Sequence, residues 1–249
     1  MALNRLITIA LLCIACTITR IHSVAAFNGS VVSQTRSLNT LHKSNNLLKH
    51  QMSSSADVEA NDAATTTTIA DIEEITTFAS RNGVDLQFTT NAARGYRGVA
   101  VAKNDKENIL GYIEGFIRPG GKILHADKME IFKSALNEAR REEDEFTGGG
   151  TFLGPGLLIA FVCLLHGREN GCEKCEFLAI DDAEFQHKRL VRYYKTAGFE
   201  EVRYVGEELK DISDRLVWGG CGTLMTNDID KILTKWTRFI RTASKRMER

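Results

Sequence analysis

The chain has 249 residues, 43% hydrophobic and 26% charged, a balance that fits a globular protein and excludes a disordered or fibrous one. The formal net charge is zero but unevenly spread. Residues 1–56 hold five of the 32 basic side chains (Arg5, Arg20, Arg36, Lys43, Lys49) and no acid, which leaves residues 57–249 with 27 basic and 32 acidic groups, a net charge of −5. A mildly acidic body lacks the basic footprint that nucleic-acid binding requires, so no nucleic-acid partner is expected. The basic C-terminal run Lys235, Arg238, Arg241, Lys245, Arg246 and Arg249 reads as a solvated helix end.

Residues 1–26 read as a signal peptide. Arg5 supplies the positive start, residues 6–18 form an apolar run too short to span a bilayer, and Val24-Ala25-Ala26 offers the small residues of a cleavage site. Phe27 follows at once. From there to residue 56 the chain is rich in Ser, Thr and Asn, basic and free of acid, the composition of a transit peptide. Such an arrangement resembles the bipartite presequence of algae with complex plastids. It implies delivery to the plastid (chloroplast) stroma, with secretion as the alternative. Residues 27–68 close with low-complexity linker, including Thr65-Thr66-Thr67-Thr68, which cannot bury a core. No integral membrane segment is expected in the mature chain.

Residues 69–249 read as one α/β domain. Ile72, Ile75 and Ala79 recur at helical spacing before Gly83. Strands are expected over 84–90, 98–103 and 109–118, then the turn Pro119-Gly120-Gly121 and a returning strand over 122–126. Phe132, Ala135, Leu136 and Ala139 mark an amphipathic helix. A glycine-rich stretch over 147–156 leads into residues 157–165, apolar on every side and too short for a membrane span, hence a helix buried against a sheet. Strand 175–180 follows. Ala183, His187, Leu190, Tyr194 and Ala197 then give one helical face, with Gly198 as its cap. Strand 199–205, further strand material over 215–218 and 223–225, and a closing helix over 229–240 complete the order. The order describes a mixed sheet, not a doubly wound one. Cys172-Glu-Lys-Cys175 is a lone CxxC without a second pair, so no metal site is expected.

Two pieces carry a family resemblance. The first is Gly154-Pro155-Gly156 opening the apolar helix, then Gly171-Cys172 and the strand Phe177-Leu178-Ala179-Ile180. The second is the segment from Arg189 to Phe199, with Tyr194-Lys195-Thr196-Ala197-Gly198-Phe199 at its end. Together, over roughly residues 84–225, they resemble the GNAT acyl-CoA N-acyltransferases. Leu216-Val217-Trp218-Gly219-Gly220 and Ala179-Ile180-Asp181-Asp182 are similar to an uncharacterised plant and algal group with that fold. The resemblance implies a mixed-sheet fold of the acyl-CoA N-acyltransferase kind. It implies transfer of an acetyl group from acetyl-CoA to a primary amine, on a small molecule or a protein, without a metal. It also implies that Thr151, Phe152, Leu153, Gly154, Pro155 and Gly156, with the strand Leu178, Ala179 and Ile180, hold the acyl-CoA. Thr151 departs from the longer Arg or Gln donor of the family pattern, and Pro155 removes one backbone donor.

The physics of that loop agrees independently. Unpaired N–H groups at a helix start, with the helix dipole, bind a diphosphate, and glycines let the backbone approach closely. Neither Gly-x-Gly-x-x-Gly nor Gly-Lys-Ser/Thr is present there, which weakens a nucleotide-binding reading. Acyl transfer needs a base for the amine and benefits from an acid for the leaving thiolate. By resemblance Tyr194 is the acid, although its apolar helical face equally fits a packing residue. Asp127 and Glu130 are the candidates for the base, in a region that also holds His125 and Glu114. His187 reads as a packing histidine and Asp181-Asp182 as a helix cap, with Trp218 and Gly219-Gly220 bordering the acceptor pocket. A catalytically silent acyl-CoA-binding protein and a scaffold with the same fold are the rival readings.

Overall fold

The computed structural model describes residues 68–142, 146–148 and 154–248. The expected signal peptide, residues 27–67, and Thr151, Phe152 and Leu153 lie outside the described residues. Helix α1 (Ile72–Arg81) starts at Asp71, whose carboxylate accepts the Glu74 N–H at 2.9 Å, and it presents Ile75, Phe78 and Ala79 to the core. A four-stranded antiparallel meander follows: β1 (Val84–Thr90), β2 (Gly95–Ala102), β3 (Ile109–Ile117) and β4 (Ile123–Ile131). Then come α2 (Lys133–Glu142), α3 (Pro155–Glu169), β5 (Lys174–Ile180), α4 (Glu184–Ala197) and β6 (Glu200–Val205). A short turn of 3-10 helix leads into α5 (Ile212–Trp218), and β7 (Gly222–Asp228) and α6 (Ile229–Met247) close the chain. The seven strands form one mixed sheet in the order β1-β2-β3-β4-β5-β7-β6. The α/β class and the mixed sheet expected from the sequence are therefore what the chain adopts.

Helix α3 sits at the centre of the core. Leu157, Leu158, Ile159, Phe161, Val162, Cys163 and Leu164 are all buried, because the helix lies across β1 to β4 and is flanked by α1 and α6. Full burial of each large apolar side chain contributes about 1.5–3 kcal/mol. Where α3 crosses β2 the strand carries Gly98, and a Cβ there would stand 2.6 Å from Ile159 Cγ2. Helix α6 is pinned to the end of α4 by Trp236, whose indole N–H donates to the Ala197 carbonyl at 2.8 Å. Arg241 of α6 also pairs with both oxygens of Glu74 in α1.

Two local expectations are corrected. Residues 215–218, read as strand, are the end of α5. Of the apolar triplet Leu216-Val217-Trp218 only Trp218 is buried, so the triplet has no sheet to fill. Asp211 and Asp214, both paired with Arg203, hold the turn and the first winding of this helix, and Gly219 at φ 77° stops it. The second correction concerns Asp181-Asp182. Helix α4 is capped at Ala183 with no side-chain hydrogen bond, and the Asp181 carboxylate accepts instead from the Tyr204 hydroxyl at 2.9 Å.

Candidate active site where two strands part

Strands β4 and β5 run parallel but pair over three residues only: Ile123 with Lys174, Leu124 with Cys175, and His125 with Glu176. Beyond that point β4 stays on β3 as far as Ile131, and β5 stays on β7 as far as Ile180. A gap therefore opens in the middle of the sheet. It is flanked by residues 126–131 on one side and residues 177–180 on the other, with one backbone edge of each strand lacking a strand partner among the described residues.

The start of α3 lies at this gap. Gly154 is the N-cap, Pro155 takes the first helical position, and a Cβ on Gly156 would lie 3.3 Å from Ile131 Cδ1 and 3.9 Å from Met129 Sδ. Glycine at 156 thus seats the helix N-terminus on the end of β4. Pro155 costs nothing there, since the N–H it lacks has no helical partner. Among the described residues no side chain caps this end.

Strand alternation divides the flanking residues between the two faces of the sheet. Phe177 faces α4, where the Tyr194 ring stands 4.4 Å from it and 6.3 Å from Phe199. Burial pushes the Tyr194 phenol well above its ordinary range, so it stays protonated at neutral pH. Tyr193, the neighbour, is more exposed. Ala179 shares the Phe177 face and is fully buried. Leu178 turns to the other face, onto Val205, Trp218 and Leu224, while Ile180 is 41% exposed at the mouth.

Asp127 and Glu130 both belong to β4 itself, which runs five residues further than expected. Opposite β3 the register shifts: Gly115 pairs with Ala126 and Glu114 with Lys128, so Asp127 is the extra residue of a bulge. Glycine at 115 makes the bulge possible, because a Cβ there would stand 2.0 Å from the His125 carbonyl oxygen and 2.6 Å from Tyr96 Oη. The bulge turns the Asp127 carboxylate towards His125, with Oδ1 3.7 Å from Nε2. Glu130 is more exposed and already engaged, by Lys128 at 3.3 Å and by the Tyr112 hydroxyl at 3.0 Å.

The sequence shows His125 only as a neighbour of the two carboxylate candidates, yet it organises this face. His125 is fully buried, stacked between Phe116 at 4.4 Å and Trp218 at 4.1 Å. Its Nδ1 meets the Arg118 guanidinium at 3.3 Å, and Arg118 pairs with Glu176 at 3.0 Å and lies over the Trp218 ring. Burial holds the imidazole below its ordinary pKa, with Asp127 opposing that shift and Arg118 adding to it. Among the described residues Nε2 has no hydrogen-bond partner. Leaving a buried donor unpaired costs about 1–3 kcal/mol. Part of this was readable: the turn Pro119-Gly120-Gly121 sets Phe116 opposite His125. His187, by contrast, is a cross-link, with Nδ1 3.2 Å from the Ile180 carbonyl and Nε2 3.1 Å from the Thr223 hydroxyl.

The arrangement can do three things. It can receive an extended ligand along the two open strand edges, bind an anion at the start of α3, and present the Asp127 carboxylate beside the gap, with the Tyr194 ring packed on Phe177 on the other face. Among the described residues no cluster of His, Cys, Asp and Glu suits a metal ion. Cys163, Cys172, Cys175 and Cys221 among the described residues are free thiols, and burial pushes Cys163 and Cys175 up, Cys175 to about 12, so neither serves as a ready nucleophile.

No family model matches this sequence, and no curated protein does. Among solved structures the chain is similar to an acetyltransferase of the GNAT family from Staphylococcus aureus Mu50, at 13% identity, with 55% of this chain and 69% of that one covered and a TM-score of 0.37. It is similar to nourseothricin acetyltransferase at 10% identity, with 65% and 96% covered and a TM-score of 0.35. It is also similar to an aminoglycoside 6'-N-acetyltransferase complexed with coenzyme A, at 11% identity, with 55% and 74% covered and a TM-score of 0.34.

Proposed function

We propose that this chain is an N-acetyltransferase that passes an acetyl group directly from acetyl-CoA to a primary amine of a small molecule or a protein. The observation that carries the reading is the end of the β4–β5 ladder at His125 and Glu176, with the α3 N-terminus at the gap it leaves. Two open strand edges suit an extended, amide-bearing chain such as the pantetheine arm, which would run beside Leu178, Ala179 and Ile180. The diphosphate would rest on the backbone from Thr151 to Gly156, at the positive end of the helix dipole.

In the reaction the amine nitrogen forms a C–N bond with the thioester carbonyl carbon and the C–S bond breaks. The nitrogen gives up its proton to Asp127, the half-buried carboxylate, with Glu130 as the second candidate. The departing thiolate takes a proton from the Tyr194 phenol, and the products are an N-acetylated amine and free CoA. No acyl-enzyme is needed, and the buried thiol of Cys163 supplies none.

Calorimetric titration with acetyl-CoA, with ATP as the control, tests this reading. One saturable site for acetyl-CoA is expected, lost in Gly154→Asp. Aspartate is a good N-cap, so α3 keeps its start while a carboxylate occupies the place of the diphosphate. Unchanged affinity in that variant, or no binding by the folded wild-type chain, would leave the scaffold reading in front. Tight binding without turnover of any amine would favour the silent acyl-CoA binder.

We extend the proposal to residues 1–68 as a bipartite presequence that delivers residues 69–249 to the plastid stroma. The acid-free basic stretch after Phe27 supports it. A fluorescent fusion of residues 1–56 should enter plastids, and replacing Phe27 should redirect it; secretion of the unaltered fusion would contradict the idea.

A further inference from the structure

The imidazole of His125 is fixed by groups from the β3–β4 turn, β3 and α5, with β5 acting through Arg118. Arg118, from the turn between β3 and β4, reaches Nδ1 with both Nε and a terminal nitrogen at 3.3 Å. A guanidinium can only donate. Nδ1 must therefore be the acceptor, and the proton of the neutral ring resides on Nε2. Glu176 of β5 neutralises Arg118 at 3.0 Å, and the rings of Phe116 and Trp218 hold the imidazole plane from both sides. The carbonyl of His125 is tied as well, accepting from the Tyr96 hydroxyl at 3.1 Å. The result is a buried N–H donor held in place, with no partner at hydrogen-bond distance among the described residues.

The titratable and charged groups that face this ring are Arg118, Glu176 and Asp127. Arg118 and Glu176 serve each other and Nδ1. Nε2 faces Asp127, with Oδ1 at 3.7 Å, on the bulge that projects from β4 where β5 has left it. A distance of that size closes to hydrogen-bond length with a small rotation of a side chain that is a quarter exposed.

We propose that His125 is a positioning residue: its Arg118-locked Nε2–H closes onto one oxygen of Asp127 when an amine enters the gap between β4 and β5, leaving the other oxygen to face the amine. The proposal rests on the acetyltransferase reading and adds what that reading lacks, a group that orients the Asp127 carboxylate towards the amine. It assigns His125 no proton of its own to exchange. With Nδ1 occupied by Arg118 and the ring buried, the imidazole acts as a fixed donor and not as a base.

Two measurements on the full chain test it. Long-range 1H–15N NMR of the histidine rings should give His125 as the Nε2–H tautomer in the wild type, and this assignment should be lost in Arg118→Met. Steady-state turnover of acetyl-CoA with a primary amine, followed from pH 6 to pH 9, should fall about tenfold in kcat for His125→Phe, the size of one hydrogen bond to a charged group. Phenylalanine keeps the stack with Phe116 and Trp218, so KM for acetyl-CoA should stay unchanged. His125→Gln, whose amide nitrogen falls near the place of Nε2, should recover most of the loss. An Nδ1–H tautomer in the wild type, full activity in His125→Phe, or no recovery in His125→Gln would each overturn the proposal. A wild-type chain that turns over no amine would overturn the acetyltransferase reading itself, and the proposal with it.

Discussion

On the face of the sheet covered by α3, contact is so close that a single methyl added at Gly98 would meet Ile159 at 2.6 Å, and the side chains that meet there are almost all apolar. On the opposite face, beside the gap between β4 and β5, the His125 ring is stacked between Phe116 and Trp218 with Arg118 and Asp127 about it, Glu176 pairs with Arg118, and His125 Nε2 has no hydrogen-bond partner among the described residues. The first region gains stability from every residue it buries. The second tolerates an unpaired donor and a bulged strand, features that cost stability and are found where a chain does chemistry. Close apolar packing is thus concentrated on one face of the sheet and strained polar features on the other, and substitutions should separate the two.

The largest loss of stability is expected from Phe161→Ala, in the middle of α3 and fully buried. It should destabilise the fold by about 3–5 kcal/mol in urea unfolding. A cost under about 1 kcal/mol would mean that the α3 face is not the anchor described. Tyr194→Phe should do the reverse. It keeps the ring against Phe177 and Phe199, so stability should change little, while kcat should fall about a hundredfold, the low end for a lost general acid. Equal kcat in the variant would assign Tyr194 to packing alone.

Gly115→Ala probes the junction of the two regions. Its Cβ would strike a backbone carbonyl and the buried Tyr96 hydroxyl, so a cost of about 1–3 kcal/mol is expected, with lower activity in whatever folds. A smaller effect is expected from pH. His125 and His166 both lie below their ordinary value of 6.5, chiefly through burial. The unfolded chain then takes up protons near that value while the folded chain does not. Stability should hold above about pH 6.5 and decline as pH falls through it, at up to about 1.4 kcal/mol per unit for each histidine. Replacing His125 by Phe should flatten this slope, and an unchanged slope would show that His125 is not held neutral.

Much of this was legible in the sequence, for reasons that also explain what was not. Helix α3 announced itself because a run apolar on every side has only one place to go. The end of α4 was marked by Tyr194 to Phe199, and Gly198 indeed takes the left-handed cap at φ 115°. Helix α5 was misread because Leu216-Val217-Trp218 carries strand residues, whereas the Arg203 pairing that winds it comes from another strand. Asp127 and Glu130 were found as carboxylates near the right strand, but what distinguishes them was hidden. It depends on a bulge that only the β3–β4 register reveals, and on Arg118, His125 and Glu176 meeting through a parallel pairing of segments some 50 residues apart, a separation to which local pattern is blind.

The central claim is that acyl-CoA lies in the gap between β4 and β5 with its diphosphate on the start of α3. Backbone amide NMR during a titration with acetyl-CoA tests it most directly. The account predicts that the amides of Gly156 and Leu157 and those of Leu178, Ala179 and Ile180 shift together, saturating at one acetyl-CoA per chain, while the amides of β1 stay still. Shifts confined to the open surface of α6 around Lys231, Lys235 and Arg238, or no shifts at all in a folded chain, would contradict it.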